Sequence, residues 1–167
     1  MVYHAPPVES AKVVFLAKDA AITKGVGLDP AQISATLDMR YDNGAASGTF
    51  DVPTGVSIGT SGWVSNKPSV AKFVNRGAPA GATGAKLAIV KPGNLLKLVG
   101  KSLGDVVLDV PGQGDPGVQG VSTVFTVTNG AQTTRHCSHF STCTYTVLGS
   151  GTGAKLVCRP GTPTACP

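Results

Sequence analysis

The stretch Ile33–Tyr41, ISATLDMRY, decides the fold class. Ile33, Ala35, Leu37, Met39 and Tyr41 alternate with Ser34, Thr36, Asp38 and Arg40, a period of two that sets one apolar face against one polar face. That spacing predicts a half-buried β-strand. YDNGAASG, residues 41–48, supplies turn chemistry, and TFDVP, residues 49–53, reads as the returning strand with Phe50 and Val52 inward.

The same grammar extends in both directions. KVVFLA from Lys12, SVAKFV from Ser69, KLAIV and LLKLV around the turn KPGN, DVVLDV from Asp105 and VSTVFTV from Val121 all read as strands. Asn129-Gly130 in TNGAQ is a strong hairpin signal. Helical periodicity is absent except for a turn at DPAQI, residues 29–33, where Asp29 caps and Pro30 sits first. About ten to twelve short strands suit two packed sheets. The loose segment Asn75 to Ala85, NRGAPAGATGA, reads as a long loop joining two halves of one sandwich.

A length of 167 residues fits one domain with a real core, and 41% hydrophobic content favours a folded chain. Charged residues are only 14%, well below ordinary usage, so the surface is neutral and rich in hydroxyls. The net charge of +5 comes from scattered lysines without arginine runs or flanking rings, which argues against nucleic acid. The densest spacing, Lys86, Lys91, Lys97 and Lys101, reads as the rim of one hairpin. No apolar run approaches the roughly 20 residues of a membrane helix. MVYHAPPVES lacks a signal-peptide pattern, so export would mean a leader already removed.

RHCSHFSTC, residues 135–143, holds two of three histidines and two of four cysteines. The midpoint of Cys143 and Cys158 falls inside the turn Gly149–Gly153, and that of Cys137 and Cys166 falls there too. Four cysteines allow three connectivities, and this shared centre selects the nested pair Cys143–Cys158 and Cys137–Cys166. Two cross-links would pin a terminal hairpin and imply an oxidising compartment. A metal site is disfavoured, because His136 and His139 point to opposite faces of a strand and carboxylates are lacking nearby.

GVSIG, residues 55–59, matches G-x-S-x-G, and the order Ser57, Asp105 or Asp109, then His136 or His139 is that of an α/β-hydrolase triad. No helix pattern follows Gly59, so the strand-to-helix elbow that exposes such a serine is missing. Glu9 is the only glutamate, which leaves no carboxylate pair for glycoside hydrolysis. Trp63, with Tyr41, Tyr3 or Tyr145, is a candidate sugar platform, weighed against Trp63 as a core anchor between sheets. Asp38, Asp42 and Asp115 occupy turn contexts that match no calcium loop.

The segments KDAAI, KFVN, KLAIVKPGNLLKLVGKSLG, TRHCSHF, GTGAKLVC and ACP, spread over most of the length, resemble a poorly characterised secreted β-rich module found in large extracellular proteins of environmental bacteria. The resemblance implies export, β-architecture and a structural or attachment role without assigned catalytic residues. It also implies a cysteine near Gly100, which this chain lacks.

The expected fold is therefore all-β: a two-sheet antiparallel β-sandwich with a disulfide-pinned C-terminal hairpin. Residues 1–10 form an extended N-terminal segment and residues 11–167 a single β-sandwich domain. The expected role is a secreted structural or interaction module at the cell surface, including the possibility of a bacterial filament subunit, with no cofactor or metal. Its partners would be other subunits or an extracellular surface, with homo-oligomers forming by strand addition. The alternatives are a serine esterase using Ser57, Asp109 and His136, and a carbohydrate-binding module using Trp63 and Tyr41.

Overall fold

A computed structural model describes residues 2–5, 12–22, 28–42, 44, 47–59, 61–67, 69–76, 85–101, 120–148 and 153–167. Thirteen strands among them form two antiparallel sheets. The larger sheet runs, edge to edge, β11 (Cys143–Leu148), β12 (Gly153–Cys158), β1 (Val2–Ala5), β2 (Lys12–Ala17), β8 (Leu95–Lys101), β7 (Ala85–Lys91), β6 (Val70–Asn75) and β5 (Ser61–Lys67). The smaller runs β13 (Thr162–Thr164), β10 (Gln132–Phe140), β9 (Val121–Asn129), β3 (Ile33–Tyr41) and β4 (Ser47–Val52).

The period of two in β3 becomes a core face, with Ile33, Ala35, Leu37 and Tyr41 buried. Val121, Thr123, Phe125 and Val127 of β9 lie on that face, as do Phe50 and Val52 of β4. The larger sheet answers with Val13, Phe15, Trp63, Phe73, Ala88, Val90, Leu96 and Leu98. Phe15 stacks on Phe125 across the sandwich at 5.6 Å between centroids. Each fully buried Leu or Phe contributes about 1.5–3 kcal/mol relative to exposure, so this interlayer dominates the stability.

One close approach sets the local sheet spacing. A Cβ on Gly100 would collide with the Phe50 ring, so the cysteine that the sequence resemblance implies near this position has no room in this core. Tight turns hold the rims. Asp29 accepts the Ala31 amide at 2.9 Å and its carbonyl receives Gln32 and Ile33, a single capped turn that leads straight into β3. In the β9–β10 hairpin Asn129 pairs with Gln132, so Gly130, at φ 59°, takes the first central position. Asn129 instead uses its side-chain oxygen to accept the Asp29 amide at 3.1 Å.

Three expectations are corrected. Val2–Ala5 is not part of a segment separate from the domain: it is β1, paired on both sides within the larger sheet. Asn75 to Ala85 does not join two halves of the sandwich, because β6 and β7 are neighbours in one sheet. The strands number thirteen among the described residues, β1, β5 and β13 being the ones that the sequence reading did not assign. The strand expected at Asp105 lies outside the described residues.

Candidate functional site: the stapled C-terminal edge

β10 carries the chemically densest stretch, and its register with β9 assigns every side chain a face. His136 pairs with Phe125, Ser138 with Thr123 and Phe140 with Val121, which puts them on the inward side. Arg135, Cys137 and His139 therefore face outward. The two histidines point to opposite faces, as the period of two requires.

Cys137 pairs beside Thr164 of β13 and bonds to Cys166, with 5.2 Å between α-carbons. Cys143 lies directly opposite Cys158 in the β11–β12 hairpin and bonds to it, with 4.0 Å between α-carbons. The inner bond thus follows from hairpin geometry, since Cys143 and Cys158 are direct cross-strand partners, whereas the outer bond joins Cys137 to a residue two positions beyond its cross-strand partner Thr164. Cys158 is fully buried in the core, and the Arg159 amide donates to Thr142 at 3.0 Å, closing the base of the hairpin. A Cβ on Gly161 would press on the Phe140 ring, so the returning tail lies close against β10.

His136 lines a cleft of about 370 Å³ between β10 and the end of β2, together with Leu16, Asp19, Ile22 and Pro163. Burial lowers its pKa from 6.5, while the charge of Asp19 acts in the opposite direction. The sign is that of a histidine held neutral. The unfolded chain takes up its proton near pH 6.5 and the folded chain resists until lower pH, so this contribution is present above about pH 6.5 and lost as pH falls below it. His136→Gln should flatten the decline of the urea midpoint between about pH 7 and about pH 5 relative to wild type. An unchanged decline would assign it to other groups.

His139 meets Asp42 at 2.9 Å on the outward side. Asp42 extends from β3 and its amide donates to Gly120 at 3.1 Å, so the pair bridges β3 and β10 over the end of β9. Asp38 accepts Thr49 at 2.8 Å. These carboxylates are engaged in holding strands together, and no group of three metal-ligating side chains occurs among the described residues.

The triad reading does not survive the topology. Ser57 lies on a strap along the outer edge of β5, its amide donating to the Trp63 carbonyl at 2.9 Å. His136 lies against β2, four strand steps away in the larger sheet, or about 19 Å at about 4.8 Å per step. Among the described residues no helix follows Ser57, and a Cβ on Gly62, at φ 135°, would strike the Ser57 backbone. Asp105, Asp109 and Asp115 lie outside the described residues. The sugar-platform reading fails for Trp63 and Tyr41, which are 0% and 5% exposed and present no ring face to a ligand.

What sequence reasoning missed is a surface. Register places Val14, Val99, Leu87 and Val74 in one row across four neighbouring strands of the larger sheet, and Val157, between the buried Leu156 and Cys158, lies on the same face of β12. The flanking residues Val13, Phe15, Leu98, Phe73 and Ala88 are buried, so the row runs on the face turned away from the smaller sheet. The next row alternates Leu16, Lys97, Ile89, Lys72 and Val64. Lys86, Lys91, Lys97 and Lys101 all belong to the β7–β8 hairpin.

Fold and cross-links together define the class: an all-β, two-sheet antiparallel sandwich whose C-terminal hairpin is pinned by two disulfides, a construction suited to an oxidising compartment. Compared with known protein families, curated proteins and solved structures, the chain matches none. No helix among the described residues is long and apolar enough to cross a membrane.

Proposed function

We propose that the chain is a secreted structural module of the cell surface or extracellular space, working by assembly or attachment rather than by catalysis. The single observation that carries this reading is the apolar row Val14–Val99–Leu87–Val74, with Val157 on the same outer face of the larger sheet. Outward faces of sandwiches are ordinarily polar, and an extended apolar patch with a polar rim favours an interaction site. The lysines in the adjacent row favour a partner that combines apolar contact with negative charge. The cystines support the same role, since they take the chain's most reactive residues out of chemistry and use them to fix its end.

The test is sedimentation velocity over a wide concentration range, with retention on anionic polysaccharide and cell-wall polymer measured on the same samples. Wild type should self-associate or be retained, and Val14→Thr/Val99→Thr should weaken that behaviour while changing stability by no more than about 0.5 kcal/mol, as for outward-facing strand positions. A monomer retained on nothing, or one that turns over simple esters, would overturn the reading.

A further inference from the structure

We infer that the outer face of the smaller sheet carries a binding groove for a neutral oligosaccharide, built around Asp38 and Arg40. The inference goes beyond the assembly reading and does not use the apolar face, which belongs to the other sheet.

Two rows of cross-strand partners cross this face. One runs Thr49–Asp38–Val124–Cys137–Thr164 and the next Ser47–Arg40–Ser122–His139–Thr162. Their sequence neighbours Leu37, Tyr41, Phe50, Val121, Phe125 and Phe140 are buried, so both rows point away from the core. Between the β4 side chains and the C-terminal tail lies a groove of about 540 Å³, within the range of roughly 300–1,000 Å³ usual for small-ligand sites. The tail is a fixed wall. Cys166 is bonded to Cys137, and Arg135 Nη1 donates to the Pro167 carbonyl at 3.4 Å. A wall held in place before the ligand arrives lowers the cost of binding.

The floor decides the ligand class. Asp38 and Arg40 are the two charged side chains of the lining, both exposed, two residues apart on one strand and so about 6.8 Å apart along it. Ser47, Thr49, Ser122 and Thr164 add hydroxyls, each able to donate or accept. An anion in this groove meets the carboxylate of Asp38, and a cation meets the guanidinium of Arg40, so charge complementarity favours neither. A neutral molecule with adjacent hydroxyls satisfies both, donating to Asp38 and accepting from Arg40 across a distance that one sugar ring spans. Thr49 Oγ1 donates to Asp38 Oδ1 at 2.8 Å, which orients the carboxylate while an ionised group with roughly four lone-pair sites keeps capacity for a ligand. Val124 and Pro167 add apolar contact for the C–H faces of the ring. A peptide fits less well: β3 and β9 are each paired on both sides, so the floor offers no strand edge to extend.

The test uses the full oxidised chain and isothermal titration calorimetry with neutral hexasaccharides of glucose, mannose, xylose, galactose and N-acetylglucosamine, and with hexagalacturonate as the anionic probe. At least one neutral hexasaccharide should bind, and more tightly than hexagalacturonate. Asp38→Asn and Arg40→Gln should each weaken that binding by about tenfold or more, the loss of one charge-assisted hydrogen bond. The asparagine amide oxygen can still accept Thr49 Oγ1, and urea unfolding of both variants separates lost binding from lost fold. The sign at position 38 separates the ligand classes: stronger binding of hexagalacturonate in Asp38→Asn than of any neutral sugar in wild type would overturn the neutral assignment. Sugar binding unchanged in both variants, or a wild type that binds none of the neutral probes, would overturn the groove itself. Val14→Thr/Val99→Thr should bind the sugar as wild type does, so a chain that associates without binding sugar loses the groove and keeps the assembly reading, and one that binds sugar without associating does the reverse.

Discussion

Replacing all four cysteines by alanine should lower the unfolding free energy by about 6 kcal/mol, a large fraction of the roughly 5–15 kcal/mol typical of a domain. The two bonds close separations of 15 and 29 residues. Taken alone they would contribute about 3 and about 3.6 kcal/mol by restricting the unfolded chain. They are nested, however, so once the inner bond is made the outer one closes only the 14 residues by which the separations differ. Cys137→Ala/Cys166→Ala and Cys143→Ala/Cys158→Ala should therefore each cost about 2–3 kcal/mol, and the fourfold variant should cost more than the sum of the two. Urea unfolding of the three variants checks this. A fourfold loss below about 2 kcal/mol would mean that the hairpin and tail are held by packing alone.

The parts of this architecture that were legible in the sequence are those encoded locally. β3 announces itself because its alternation runs for nine residues, long enough to exceed chance. The inner cystine is readable for a related reason: Cys143 and Cys158 are direct partners in one hairpin, so spacing carries their register, whereas Cys166 lies two residues past Thr164, the residue that faces Cys137. The opposite faces of His136 and His139 follow from the same period of two.

Other features are nonlocal and leave no such trace. β1 is four residues long, too short for a period, and its partner Ala154–Val157 lies some 150 residues away in the sequence. The apolar surface draws one residue from each of five strands, and no window of sequence contains more than one of them in context. GVSIG shows the converse failure. Its spacing matches a catalytic motif, but its glycines, Gly55 and Gly59, both at positive φ, serve a tight strap against β5. A motif gains meaning from the elements around it, and the strand context here removes the elbow that the chemistry needs.

Trp63→Ala should cost about 3–5 kcal/mol, the range for truncating a large buried aromatic. The indole is wholly enclosed, packs edge-on against Phe73 at 5.6 Å, and donates from Nε1 to the Pro53 carbonyl at 2.7 Å. Its backbone receives the Ser57 amide and donates to Gly55, both at 2.9 Å. One residue thus joins the core, the β5 edge and the strap, and truncation removes the side-chain anchor while leaving a cavity and an unpaired carbonyl. Trp63→Phe separates these contributions: it keeps most of the packing, gives up the hydrogen bond and should cost less than the alanine variant. Circular dichroism in urea measures both variants, because the chain has no second tryptophan to report by fluorescence. Loss of sugar or surface binding in Trp63→Ala should track the loss of folded protein and disappear where the variant remains folded. A stability cost below about 1 kcal/mol would place the ring outside the core and restore it as a ligand platform.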